Sequence, residues 1–271
     1  MAQGVDPLEL RDLAVAVATL GAERMAARAG ARDLRVVTKT TATDPVTEVD
    51  REVEDLIVSA LVAARPGDGV VGEEGADRPS ASGVRWLVDP IDGTVDFLYG
   101  IPGCNVSVAA EVEGTVVAGA VVDPLHGDAF AAAQGLGATR NGTPIACTTV
   151  ADPALALIGT GFGYDPARRR RQAQVLVEVL PQVRDIRRVG AAAIDLCWVG
   201  CGRLDGYYER GLQVWDWAAG ALVATEAGSV VGSVDGLNLP GGLPDACIVA
   251  AGPALFESLR TLVADAGAGR A

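Results

Sequence analysis

The first half of the chain alternates between helical and extended patterns of apolar residues. Apolar positions recur at helical spacing over residues 10–17, which predicts a first helix that ends near Gly30. A second helical pattern covers residues 49–61 and is stopped by Pro66 and the glycine that follows it. A short apolar run at residues 84–88 then predicts a strand that ends at the Asp-Pro pair directly after it.

Hairpins follow in the first half, whereas strands and helices alternate in the second. Residues 105–122 predict a strand, a Glu113-Gly114 turn and a second strand, and Asn141-Gly142 indicates another hairpin turn. Later in the chain, strands are predicted near residues 157–159, 206–209 and 247–251. Two helices are predicted to begin at residues 165 and 253, and two others to cover residues 191–199 and 216–227. This order predicts a layered α/β sandwich, one unit of two packed halves at about 1–150 and 151–271.

Composition and charge narrow the classes of function. The chain has 271 residues, of which 49% are hydrophobic, enough to bury a large core. No apolar run is as long as a membrane span, and acidic residues precede the first apolar pattern where a signal peptide carries positive charge. The net charge of −13 repels nucleic acid and anionic membranes. We therefore expect a cytoplasmic protein with no nucleic-acid partner and no membrane partner.

The cysteines, the histidine and a basic run are interpreted as structural or solvated residues. The five cysteines are scattered and form no Cys-x-x-Cys pair, so we interpret them as free thiols. His126 is the only histidine, which argues against a zinc hydrolase and against a histidine-based triad. The arginines at 168–171 are interpreted as a solvated helix start, because four consecutive residues point in different directions around a helix.

Three acidic segments at the edges of regular elements carry the candidate chemistry. They are Gly72-Glu73-Glu74, Asp89-Pro90-Ile91-Asp92-Gly93-Thr94 and Trp215-Asp216-Trp217. The two carboxylates of the second segment can converge around its bend, and its glycine lets the backbone approach a ligand closely. Taken alone, this segment is equally consistent with an ordinary polar turn. Together with the acids before and after it, it predicts a metal site.

The charge of these acids indicates what they bind. Glu73, Asp89, Asp92 and Asp216 would place several negative charges in one pocket, and a phosphate monoester brings about two more. Divalent cations would reverse the sign of the pocket. Oxygen ligands without a suitable histidine or thiolate favour a hard ion such as Mg²⁺. The sequence therefore predicts a site for a hard divalent cation such as Mg²⁺, with which this acidic pocket could accept a phosphate monoester.

These segments resemble the signatures of the inositol monophosphatase family, within the wider group of lithium-sensitive, metal-dependent sugar phosphatases. The first signature corresponds to residues 89–102 and the second to residues 215–220, and the segments at 47–50 and 72–74 match in order and spacing. The resemblance covers most of the chain. It implies a layered αβαβα fold, a homodimer and the hydrolysis of a small polyol phosphate, most of all inositol 1-phosphate.

The resemblance also implies a role for each matching residue. Two to three Mg²⁺ ions would be held by Glu73, Asp89, Asp92, Asp216 and the carbonyl group of Ile91. Thr94 and Glu73 would orient and deprotonate the attacking water, with Asp50 hydrogen-bonded behind Thr94. The substrate would contact the N–H groups of Gly93 and Thr94, the pocket residues Gly190, Ala191 and Ala192, and the acids Glu209 and Asp216.

Three positions depart from the family pattern, and two of them, Asp96 and Ala191, bear on the substrate. Asp96 stands where many members have Asn, Tyr99 stands where many have His, and Ala191 removes a hydroxyl group from the sugar pocket. Fructose 1,6-bisphosphate, histidinol phosphate and 3′-phosphoadenosine 5′-phosphate are alternative substrates on the same fold. A second phosphate or an adenine would require additional basic or aromatic groups near the pocket. A non-catalytic regulatory partner is a different class of function, against which the intact acidic residues argue.

Overall fold

The computed structural model describes residues 5–30, 36–38, 45–234, 236 and 246–270. No helix within these ranges is both long and apolar enough to cross a membrane. The α-helices are α1 (Pro7–Arg28), α2 (Glu48–Ala64), α3 (Thr94–Tyr99), α4 (Pro166–Val179), α5 (Ala192–Gly200), α6 (Val214–Glu226) and α7 (Pro253–Asp265). Short 3₁₀ helices cover Pro153–Leu155, Leu180–Gln182 and Ala268–Arg270.

The strands form a large sheet, a smaller sheet and a two-stranded ribbon. They are β1 (Val36–Thr38), β2 (Pro45–Thr47), β3 (Gly69–Gly72), β4 (Asp77–Arg78), β5 (Val84–Asp92), β6 (Asn105–Val112), β7 (Thr115–Asp123), β8 (Asp128–Ala133), β9 (Ala138–Arg140), β10 (Thr143–Pro144), β11 (Leu157–Thr160), β12 (Asp185–Arg187), β13 (Gly206–Arg210), β14 (Val230–Ser233) and β15 (Cys247–Ala251). The large sheet has the order β10-β9-β8-β7-β6-β5-β3-β4, and the smaller one has the order β12-β11-β13-β15-β14.

Helices and sheets stack in five layers. Helices α1 and α2 cover one face of the large sheet, and α5 and α6 lie between the two sheets. Helices α4 and α7 cover the outer face of the smaller sheet. The inner helical layer packs closely because its residues are small: a Cβ atom on Gly220 of α6 would lie only 2.5 Å from the Ala193 carbonyl oxygen of α5. This αβαβα sandwich confirms the predicted fold class.

A parallel strand pair places two of the acidic segments side by side. Strands β3 and β5 run parallel, with Gly72 beside Val88, in a sheet whose other neighbours are antiparallel. The carboxyl ends of parallel strands meet at the same edge of a sheet. Glu73 and Asp89, the next residue on each strand, therefore lie together, and the Glu73 N–H group donates to the Val88 carbonyl at 3.1 Å.

The strand that carries the central segment is longer than the sequence predicts. We expect this strand to end at Asp89, but β5 continues through Pro90 to Asp92. Its register against β6 shifts between Asp89 and Asp92, so the proline lies at an irregularity, where its missing N–H group does not interrupt regular pairing. The predicted turns at 113–114 and 141–142 are confirmed, because they join β6 to β7 and β9 to β10.

Candidate active site

The carboxyl groups of Glu73 and Asp89 are in contact at the end of the parallel pair. The Asp89 side chain is buried and hydrogen-bonded to that of Glu73, and its Oδ1 atom accepts the N–H group of Ile91 at 3.1 Å. Burial raises the pKa of Asp89 well above its ordinary value, and the charges of Glu73, Asp92 and Asp216 raise it further. Two carboxyl groups in hydrogen-bond contact are compatible only if they share a proton.

Asp92 links the first half of the chain to the second. Its Oδ2 atom accepts the N–H group of Ala193 at 2.8 Å and the side-chain amide of Asn105 at 3.2 Å. Burial raises the pKa of Asp92 to about 7 despite these two hydrogen bonds, which lower it. The next residue, Gly93, has a φ of +88°, and a Cβ atom there would lie 3.2 Å from the Cβ of Ala191. Glycine thus permits both the turn and the approach of the Ala191 segment.

Thr94 is held from behind by Asp50. The Thr94 hydroxyl oxygen lies 3.1 Å from Asp50 Oδ1 and 3.2 Å from the Ile91 carbonyl oxygen. The hydroxyl group can donate a hydrogen bond to either of these acceptors. Asp50 Oδ2 accepts the N–H and hydroxyl groups of Thr47 at 2.8 and 2.5 Å, in the capping box of α2. Burial raises the pKa of Asp50, and these hydrogen bonds offset part of the effect. The cap of α2 therefore fixes the position of Thr94.

Asp216 adds a carboxyl group from the second half of the chain. It lies in the first turn of α6, and its Oδ2 atom accepts the N–H group of Gln213 at 2.7 Å. Ser107 of β6 donates to the Trp215 carbonyl at 3.2 Å, which ties the start of this helix to the large sheet. Burial and neighbouring carboxylates, Asp92 first among them, raise the pKa of Asp216 well above its ordinary value.

Glu209 lines the same cavity, which has a volume of about 600 Å³. The Tyr207 hydroxyl group donates to Glu209 Oε2 at 2.6 Å, and a Cβ atom on Gly161 would overlap the Glu209 carboxylate. Glycine at position 161 therefore allows the carboxylate to occupy its place. The predicted site residues that line the cavity are Glu73, Asp89, Ile91, Asp92, Gly93, Thr94, Gly190, Ala192, Glu209 and Asp216.

The donor set suits a hard divalent cation. Its side-chain donors are carboxylate oxygens, and the Ile91 carbonyl oxygen has a second lone pair beside the one facing Thr94. Within the described ranges, no three Asp, Glu, His or Cys side chains are already arranged around one point as a metal site. A cation held here would bind these carboxylates in their deprotonated form.

The whole chain can be compared with known proteins. A model of the "Inositol monophosphatase family" matches residues 6–267. This chain belongs to the inositol monophosphatase family. It is therefore a phosphoric monoester hydrolase, and the family and the enzyme class predicted from the signatures are both confirmed.

Relatives of this phosphatase carry two kinds of name. The Mycobacterium tuberculosis protein "Inositol-1-monophosphatase SuhB" is 48% identical over 242 residues, covering 86% of this chain and 82% of the relative. "Nus factor SuhB" of Pasteurella multocida is 35% identical, covering 84% of this chain and 85% of the relative. The crystal structure of the extragenic suppressor protein suhB from Bartonella henselae superposes with a TM-score of 0.86 at 33% identity, covering 93% and 97% of the two chains.

The phosphatase cavity also contains residues that the sequence does not single out. Phe162, Tyr164, Arg168 and Arg188 all line it. The interpretation of the arginines at 168–171 as a merely solvated helix start is therefore wrong for Arg168. The Asp165 side chain caps α4 by accepting the Arg168 N–H group at 2.7 Å, and this start directs the first turn toward the cavity. The proline after Asp165 predicts the helix start, but nothing local predicts which arginine faces the cavity.

Glu54 is a second residue that local reasoning misses. It lies on α2 with 4% of its surface exposed, and its two carboxylate oxygens accept the N–H groups of Glu74 and Ala76 at 2.8 and 2.9 Å. A Cβ atom on Gly72 would overlap the same carboxylate. Glu54 therefore holds the turn that directly follows Glu73. Its position in the middle of an amphipathic helix gives no local signal of this contact.

Proposed function

We propose that this phosphatase hydrolyses a small polyol phosphate, inositol 1-phosphate above all, in a reaction that depends on two to three Mg²⁺ ions. The observation that supports it most is the meeting of Glu73, Asp89, Asp92 and Asp216 in one cavity. Three segments far apart in sequence supply these carboxylates. A dianionic phosphate would be repelled by the cluster alone, so cations must accompany the substrate.

The ligands divide between the ions as the family resemblance implies. Glu73, Asp89 and the Ile91 carbonyl group would hold the first ion, and Asp89 would share a second with Asp92 and Asp216. Glu73 would also contribute to a third, weaker site. Bound Mg²⁺ would stabilise the charge that develops on the phosphoryl group and make water a stronger nucleophile near neutral pH.

The protein groups position the water and the phosphate. Because the Thr94 hydroxyl group can donate to Asp50, its lone pairs are free to accept a hydrogen bond from the attacking water, which would orient it. Glu73 would accept one proton from this water on its carboxylate as the general base. The N–H groups of Gly93 and Thr94 would donate to phosphate oxygens, since Gly93 brings the backbone close to the cavity.

The polyol would lie against the second half of the chain. Glu209 would accept a hydrogen bond from a substrate hydroxyl group, and the Tyr207 hydroxyl group holds it in place. Gly190, Ala191 and Ala192 form the adjoining backbone: two of them line the cavity, and Ala191 packs on Gly93. Asp216 would contact both the ion and a polyol hydroxyl group. The family's homodimer is part of the same proposal, and the mass of the protein in solution tests it.

A role as a partner of other proteins is the second candidate. The Pasteurella multocida relative carries the name "Nus factor SuhB", so proteins of this fold are not named for catalysis alone. The complete set of ligand carboxylates and the higher identity to a protein named as a phosphatase favour catalysis here. Activity and partner binding do not exclude one another.

Phosphate release tests the proposal directly. The panel comprises inositol 1-phosphate, fructose 1,6-bisphosphate, histidinol phosphate and 3′-phosphoadenosine 5′-phosphate, with Mg²⁺ and with a chelator added. We expect release from inositol 1-phosphate that requires Mg²⁺ and that Li⁺ inhibits. The absence of release from every substrate at saturating Mg²⁺ would overturn the proposed function.

A further inference from the structure

Two buried acids near Glu209 have carboxyl oxygens that the protein leaves without partners. Asp195 of α5 is 0% exposed, and neither of its carboxyl oxygens has a hydrogen-bond partner among the described residues. It lies beside the Tyr207 ring, since a Cβ atom on Gly159 would be 3.3 Å from Asp195 Oδ1 and 3.2 Å from Tyr207 Cδ2. Asp96 of α3 is also buried, and its Oδ2 atom has no such partner in the described part of the chain. Buried acids in this state are costly, so a nearby positive charge affects them strongly.

Arg188 supplies a positive charge to all of these acids. Burial raises the pKa values of Glu209, Asp96 and Asp195, and the charge of Arg188 lowers each of them again. Among the described residues, Arg188 is the one cation that has this effect on all three. The neighbouring Arg187 instead pairs with Asp185 at 2.6 Å, on the exposed strand β12.

Two glycines admit the charged ends of Arg188 and Glu209 to the wall of the cavity, which both side chains line. A Cβ atom on Gly190 would overlap the guanidinium group of Arg188, and one on Gly161 would overlap the carboxylate of Glu209. Gly190 also has a φ of +105°, which other residues rarely adopt. The guanidinium group therefore lies against the backbone that is proposed to contact the polyol.

The Glu209 carboxylate is stabilised from two sides. The Tyr207 hydroxyl group donates to its Oε2 atom at 2.6 Å, and this hydrogen bond and the charge of Arg188 both lower its pKa against the effect of burial. Arg210 also lines the cavity, but its Nη1 atom donates to the Ala268 carbonyl oxygen at 3.0 Å. Arg188 is thus the cavity arginine whose charge supports Glu209.

We propose that Arg188 is a positioning residue for polyol recognition: its charge holds Glu209 as the charged acceptor of a substrate hydroxyl group. This inference rests on the proposed function, which it deepens by separating recognition of the polyol from recognition of the phosphate. A charged acceptor forms a stronger hydrogen bond than a neutral one. Because Arg188 itself is exposed, water screens its charge, and a moderate effect is expected.

Removal of the charge should weaken binding of the polyol but not of the phosphate. At saturating Mg²⁺, Arg188→Gln should raise KM for inositol 1-phosphate about fivefold and change kcat less than about twofold. Inorganic phosphate carries no polyol, so its inhibition constant should stay within about twofold of the wild-type value. Arg188→Lys keeps the charge and should restore most of the wild-type KM.

A double-mutant cycle tests whether Arg188 acts through Glu209. Glu209→Gln alone should raise KM at least as much as Arg188→Gln, because it removes the charged acceptor itself. In the Glu209→Gln background, Arg188→Gln should have no further effect, since both changes then act on the same contact. Arg187→Gln is the matched control and should keep the wild-type KM, because Arg187 does not line the cavity. A thermal melt of each variant shows whether it is folded.

The outcomes distinguish this inference from the proposed function. If the wild-type enzyme hydrolyses no polyol phosphate, the proposed function fails and this inference fails with it. If it does, but Arg188→Gln leaves KM unchanged or its effect multiplies with that of Glu209→Gln, only this inference is overturned. An equal rise in the inhibition constant of phosphate would also overturn it, since Arg188 would then contact the phosphate or support the fold in general.

Discussion

Two groups of buried carboxylates in this molecule differ in what surrounds them. Asp128, at the start of β8, is 1% exposed and lies between Arg140 and Arg203, whose guanidinium nitrogens are 2.6 and 2.5 Å from its oxygens. Asp89, Asp92 and Asp216 form no ion pair with any arginine or histidine in the described part of the chain, and their pKa values are raised. The protein itself neutralises Asp128, whereas the proposed function assigns the neutralisation of the site carboxylates to Mg²⁺.

The largest effect should come from removing the carboxylate that two ions would share. Asp89→Asn should lower kcat/KM on the order of a thousandfold, about 4 kcal/mol of transition-state stabilisation. In chelator the variant should be at least as stable as the wild type, because asparagine cannot ionise at this buried position and its amide can still donate to Glu73. Phosphate release and denaturant unfolding measure the two effects. Asp55→Asn, on the exposed face of α2, is the control, and near-normal turnover by Asp89→Asn would refute the shared-ion assignment.

Changing the pH should sharpen the contrast without any mutation. The pKa of Asp92 is about 7 in the folded protein against 3.8 when unfolded, so the metal-free fold binds more protons than the unfolded chain between these values. Its stability should therefore fall as the pH rises from 5 to 7, by roughly 2 kcal/mol from this group alone. Because Mg²⁺ needs deprotonated ligands, its stabilising effect should grow over the same range. Melts in chelator and in Mg²⁺ measure both trends, and a flat chelator curve would contradict the argument.

Asp128→Asn should show the opposite behaviour to Asp89→Asn. It leaves Arg140 and Arg203 without their charge partner, and it should destabilise the fold by about 1–2 kcal/mol. The value is moderate because the arginine side chains are 37% and 33% exposed, which lets water screen their charges. The Mg²⁺ dependence of turnover should stay as in the wild type. If Asp128→Asn changed the Mg²⁺ dependence of turnover and left the free energy of unfolding unchanged, the two groups of buried carboxylates would not differ as described.

The contrast also shows what the sequence can reveal. Glu73, Asp89, Asp92 and Asp216 are predictable because each lies in a short segment whose acids, glycine and strand edge are neighbours in sequence. Arg168 and Glu54 are not, because their contacts are made across the fold: Arg168 lies against Gly211, and Glu54 holds the turn after Glu73. Strand pairing and helix packing create these contacts, and no local sequence pattern predicts them. The layered α/β sandwich was predictable from the order of the elements and its five layers from the family resemblance, whereas the extension of β5 through Pro90 was not.

Glu54 offers a smaller test, because its carboxylate accepts hydrogen bonds from two protein N–H groups. In Glu54→Gln one of the two acceptors becomes an amide donor that faces an N–H group, so the turn after Glu73 should loosen. We expect the Mg²⁺ concentration for half-maximal activity to rise about tenfold, with a smaller fall in kcat at saturating Mg²⁺. Glu52→Gln is the matched control, since Glu52 lies on the same helix and pairs with Arg24. An equal loss of kcat at all Mg²⁺ concentrations would indicate general misfolding instead.

The smallest effect should come from Asp96. It shares a raised pKa with the site carboxylates, and it shares the influence of an arginine with Asp128. It is 4% exposed, its Oδ2 atom has no hydrogen-bond partner in the described residues, and burial raises its pKa while the charge of Arg188 lowers it. A Cβ atom on Gly93 would lie 3.6 Å from this oxygen, so Asp96 adds negative charge beside the site. Asp96→Asn should therefore stabilise the metal-free fold at pH 8 by about 1 kcal/mol and change half-saturation by Mg²⁺ less than about threefold. Denaturant unfolding in chelator at pH 5 and pH 8 checks the origin of this gain, because a benefit from removing charge must shrink at the lower pH, where Asp96 is more protonated.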